Sequence, residues 1–122
     1  MKALLALLAA LVLAFAPARL AHATSSLLFD GDGYSLNLEV GYDKRPVIGS
    51  VFLYQPGDKG QAVPRQRVRV EEFDTQRKRL KLRYTATDEA PGIPSFTLVM
   101  TETEAVLTLA GRRIVSKANW QM

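Results

Sequence analysis

The sequence predicts an all-β domain. The expected form is a small antiparallel meander of seven to eight strands, closed as a barrel in preference to a two-layer sandwich. Three observations lead there. Apolar residues alternate with polar ones in run after run, and period-two alternation places successive side chains on opposite faces of a strand. The runs are joined by short segments rich in Gly, Pro and Asp, of hairpin length. No stretch after residue 23 repeats its apolar residues at helical spacing. Closure into a barrel would also remove edge strands that invite aggregation.

Residues 1–23 stand apart. Lys2 is followed by an unbroken apolar run, Ala3 to Ala16, and Pro17 ends it. Ala21-His22-Ala23 then offers small residues at both positions a signal peptidase reads. The 14-residue run is well short of the ~20 residues that span a bilayer. The expectation is a cleaved secretory signal peptide, with no stable membrane span. No Cys follows the site, which excludes a bacterial lipoprotein, so the protein is expected to be periplasmic or secreted. Residues 24–122 form one domain in this reading, a size able to bury its own core.

Removal of the leader changes the chemistry. Losing Lys2 and Arg19 takes Lys plus Arg from 16 to 14, against 12 Asp plus Glu, so the net charge falls from +4 to +2. Losing His22 leaves residues 24–122 with neither histidine nor cysteine. Disulfides, the usual zinc sites, thiol nucleophiles and Ser-His or Cys-His catalysis are thereby excluded. No nucleophile elbow or phosphate loop is present. Carboxylate pairs such as Glu71 and Glu72 would point to opposite faces of a strand. The expectation is a protein that is not an enzyme and needs no cofactor or metal.

Taken in order, Ser26–Asp30 reads as a short strand and Asp30-Gly31-Asp32-Gly33 as a tight turn. A calcium loop starting at Asp30 fails, because its twelfth position is Gly41 rather than Glu. Tyr34, Leu36, Leu38 and Val40 share one strand face, and Gly41 to Pro46 turns. The strand from Val47 to Gln55 is apolar on both sides: Val51 and Leu53 on one face, Phe52 and Tyr54 on the other. Whichever pair faces outward is a candidate apolar interface, including for a homodimer, unless a neighbouring loop covers it.

Arg65 to Tyr84 reads as a hairpin with one apolar and one basic face. Two registers are open. One places Val70 opposite Leu80 and Arg69 opposite Lys81; the other, shifted by two, places Arg69 opposite Arg83 and Glu71 opposite Lys81. Either brings like charges together across the strands, which suits an anionic partner. The alternative is a solvated face whose side chains find carboxylates such as Glu39 or Glu71. The candidate contact residues are Arg67, Arg69, Arg79, Lys81 and Arg83, with Phe73 interleaved among them.

A long loop follows, Thr85 to Ser95, in which Ile93 lies between Pro91-Gly92 and Pro94. A stiff loop presenting one apolar side chain loses little entropy on binding, so Ile93 joins the candidate contact residues. It could equally fold back to cap the barrel. Strands Phe96–Thr101, Ala105–Ala110 and Ile114–Trp120 complete the chain, with a tight turn at Gly111-Arg112.

A small, cysteine-free exported β-domain is similar in architecture to periplasmic enzyme inhibitors and to bacterial immunity proteins. The leading expectation is a non-catalytic binding protein of the bacterial envelope, docking on another protein with an acidic surface. A small-ligand carrier with an apolar barrel interior is one alternative. A structural subunit of an envelope assembly is another. Nucleic acid is not expected as a partner, given the small net charge and the compartment.

Overall fold

The computed structural model describes residues 25–43 and 45–121. The signal peptide expected over 1–23 lies outside the described residues. Among these residues ten strands form: β1 Ser25–Gly31, β2 Tyr34–Asp43, β3 Arg45–Tyr54, β4 Gln61–Ala62, β5 Val68–Asp74, β6 Arg79–Tyr84, β7 Phe96–Met100, β8 Glu104–Leu109, β9 Arg112–Lys117 and β10 Asn119–Gln121. They divide into two antiparallel five-stranded sheets, in the orders β10-β1-β2-β3-β4 and β5-β6-β7-β8-β9.

The closed barrel expected from the sequence is therefore not formed; the two-layer alternative is. The physical reason lies at the two crossings between sheets. Ile114–Trp120 is not one strand: Ala118 interrupts it, β9 pairs with β8, and β10 pairs with β1. At the other crossing the chain passes through a single 3-10 turn, Arg65–Arg67, in place of a continuous ladder. The short pair β4 and this turn are the elements that alternation alone did not indicate.

One core joins the two sheets. Leu27, Phe29, Leu36, Leu38, Val51 and Leu53 from the first meet Leu80, Leu82, Tyr84, Leu98, Met100 and Leu107 from the second, all nearly fully buried. Burying each such side chain is worth about 1.5–3 kcal/mol. These side chains form one continuous buried cluster between the sheets.

The turns follow their sequence chemistry. Asp32 and Gly33 both take positive φ, 53° and 83°, as a two-residue hairpin loop requires. The tight turn after β8 falls at Ala110-Gly111, one residue earlier than expected. In the hairpin β5–β6, the Asp74 carboxylate accepts the Gln76 and Arg77 amides and closes the turn. Arg112 forms an ion pair with Asp32 and lies 5.7 Å from the Tyr34 ring centroid, tying the β8–β9 turn to the β1–β2 turn of the other sheet.

The two-sided strand is resolved. Val51 and Leu53 point into the core, while Phe52 and Tyr54 point outward, their rings 5.3 Å apart. The loop after β3 lies against this pair. Gly60 packs so closely that a Cβ there would sit 2.4 Å from Tyr54 Cε2 and 2.9 Å from Phe52 Cε1, and its φ is +90°. Only glycine meets both demands. Gly60→Ala is expected to destabilise the domain by about 1–3 kcal/mol, read by urea unfolding. An unchanged midpoint would show that the loop does not cover the aromatic pair.

Candidate functional site

The basic hairpin adopts the shifted register over its first half. Val68 pairs with Tyr84, Arg69 with Arg83 and Val70 with Leu82. Then Glu71 is bulged out, and pairing resumes as Glu72 with Lys81, Phe73 with Leu80 and Asp74 with Arg79. The bulge has a clear cause. Strict alternation from Val68 and Val70 would bury Glu72 and expose Phe73. One extra residue reverses the parity, so Phe73 turns inward and both glutamates stay in solvent.

Two expectations are corrected by this. Phe73 does not interleave the cations: it is half-buried on the core side and stacks on Trp120 at 6.5 Å, while the Trp120 indole N–H donates to the Thr101 carbonyl at 2.8 Å. Glu71 and Glu72 do not oppose each other across the strand; both face the basic side chains. Ile93 is also displaced from its expected role. It is 1% exposed, folded into the core by a turn in which its amide donates to the Ala90 carbonyl. Of the apolar stripe, Val51 and Leu53 are unavailable to a partner, and Tyr54 is half-covered by the Gly60 loop.

The cations divide into paired and free. Arg83 Nε donates to Glu71 Oε1 at 3.0 Å, Lys81 lies 3.9 Å from the same carboxylate, and Arg79 lies 3.7 Å from Glu72. These are exposed pairs, screened by solvent, and each contributes little to stability. Glu39 plays no part, because it stands on β2 in the other sheet. Arg67 leaves the strand for the 3-10 turn and reaches the Ala86 carbonyl. Arg69 makes no ion pair among the described residues.

The Arg83 guanidinium holds the Glu71 carboxyl below its ordinary value of 4.5, with Lys81 and then Arg69 adding to the effect. A lowered folded-state pKa contributes stability above the unfolded value and loses it as pH falls through the folded one. The stability difference between the wild type and Glu71→Gln is therefore expected at pH 7 and should shrink as pH drops below about 4.5. Thermal melts across that range check it; a constant difference would contradict the Arg83 contact.

The register of the second sheet assembles a larger face than the hairpin. Arg69, Arg83, Thr97, Thr108 and Arg113 stand side by side across its five strands. The next row reads Glu72, Lys81, Val99, Val106 and Val115. Val99 and Val115 are 38% and 48% exposed, and Val106 lies half-buried between them. The outer face thus carries a stripe of three valines beside a row ending in Arg113, with Lys117 beyond on β9. Sequence reading missed these residues. Each valine follows plain alternation, but only the pairing of β7, β8 and β9 shows that they adjoin.

In comparisons with known proteins, no family model, no curated protein and no solved structure matches this chain. No helix among the described residues is long and apolar enough to cross a membrane.

Proposed function

We propose that the protein is a non-catalytic, exported binding protein of the bacterial envelope that docks on another protein through the outer face of its second sheet. The leader-like residues 1–23 support export. The observation that carries the docking reading is the valine stripe, Val99–Val106–Val115, set beside the arginine row of Arg69, Arg83 and Arg113. Productive interfaces combine a desolvated apolar centre with charges that steer and orient the partner. Here the centre is the stripe, and the charges select an acidic surface. Inhibitor and immunity-like roles both fit such a device.

Two further points support this reading over its rivals. Glu71 and Glu72 on this face are held in ion pairs with Arg79, Lys81 and Arg83, an arrangement suited to shaping charge rather than to acid–base chemistry. The interior is packed with side chains, which favours docking over carriage of an apolar ligand. The test is a binding measurement with a variant at the far edge of the face, Arg113→Glu with Val115→Glu.

A further inference from the structure

A second surface lies at a seam between the two sheets. A groove of about 390 Å³ runs between the first half of β3 and the start of β5. Both of its walls are open strand edges. β5 ends its sheet, and β3 pairs with β4 only at Phe52 and Leu53, leaving residues 45–50 without a ladder partner on that side among the described residues.

The hydrogen bonds fix which groups the edge of β5 presents. The Thr85 amide donates to the Arg67 carbonyl, so Arg69 and Arg83 exchange their backbone bonds, and Val68 and Val70 turn their N–H and C=O groups away from β6. The Val68 amide is used by the 3-10 turn, donating to the Arg65 carbonyl. The Val70 N–H and C=O remain, spaced as an incoming antiparallel residue would need them. Natural edges are blunted by bulges and proline; here two bulges bound the opening, and Pro46 lies within it on the β3 wall. The extra residue Gly49 on β3 and the bulged Glu71 on β5 limit the regular edge to about four residues, or ~13 Å of extended chain.

The side chains define the occupant. Arg45, Arg65 and Arg69 line the groove, with no carboxylate in its lining among the described residues. Arg65 is held over it by donating to the Gly49 carbonyl at 3.1 Å. Between the arginines lie Val47, 48% exposed, with Ile48 and Val70. We infer that this groove binds a short extended segment of another protein, with acidic and apolar residues in alternation, which adds a strand to β5 at Val70. Main-chain bonds supply affinity in such strand addition, and alternate side chains supply specificity. The groove shares Arg69 with the arginine row of the outer face but none of its valines, and the inference stands whether or not that face docks.

The test uses a capped hexapeptide of alternating valine and glutamate, its lysine counterpart, and a version N-methylated on alternate amides. Calorimetry measures affinity, and NMR follows exchange of the Val70 amide. The glutamate peptide is expected to bind at least about tenfold tighter than the lysine peptide and to slow Val70 exchange. N-methylation should abolish both effects, and Arg45→Glu should weaken binding about tenfold. Equal binding of the lysine peptide, binding without protection of Val70, or no heat at about 1 mM peptide would overturn the inference. So would a dimer, seen by light scattering without peptide and lost in Arg45→Glu, since a second copy would then be the occupant.

Discussion

Deletion of Lys81 is expected to leave the domain unfolded, whereas deletion of Glu71 is expected to leave it folded. The contrast follows from side-chain parity. β6 alternates without a break: Leu80, Leu82 and Tyr84 are buried, Lys81 and Arg83 exposed. Removing Lys81 makes Leu80 and Leu82 adjacent, so one of them, with everything beyond it, must turn to solvent. Each such side chain is worth about 1.5–3 kcal/mol, and a few of them exhaust the ~5–15 kcal/mol that holds a domain together. Glu71 is different because it is the bulged residue. Without it, Val70, Glu72 and Phe73 fall into plain alternation, with Phe73 still inward. The loss is confined to the exposed, solvent-screened contacts with Arg83 and Lys81. Circular dichroism and urea unfolding distinguish the outcomes. A folded Lys81 deletion, or an unfolded Glu71 deletion, would contradict the register.

The second large effect concerns binding. Arg113→Glu with Val115→Glu is expected to weaken the proposed docking by one to two orders of magnitude, about 1.4–2.8 kcal/mol. Both side chains are exposed on β9 and make no ion pair among the described residues, so the change should cost little stability. The valine loses its place in the apolar centre, and the reversed charge repels an acidic partner. The salt dependence should also flatten, because fewer charges remain to be screened. Full affinity in a folded double variant would move the docking surface elsewhere.

Much of the fold was legible in the residues. Tyr34 to Val40, Leu80 to Tyr84 and Phe96 to Met100 alternate so regularly that strand and buried face follow directly. Three things were not legible, each for a physical reason. The change of sheet at Ala118 leaves no local mark, because both flanking segments have strand character. The bulge at Glu71 does not show when the hairpin is paired as a rigid ladder. Yet Glu72 at an inward position and Phe73 at an outward one were the signal, since no strand buries a charge to expose a ring without cause. The valine stripe depends on three registers at once, and Val99, Val106 and Val115 are each unremarkable alone. Ile93 shows the opposite error. A stiff proline loop suggested display, but an isolated isoleucine gains more from burial than a free loop does from presenting it.

Capture from an envelope extract decides the docking reading, with residues 24–122 as bait, at low and high salt, beside the Arg113→Glu, Val115→Glu variant. The expected result is one partner held by the wild type at low salt, released at high salt, and absent from the variant. A partner held equally by the variant, or none at either salt, would contradict the role given to the outer face of the second sheet.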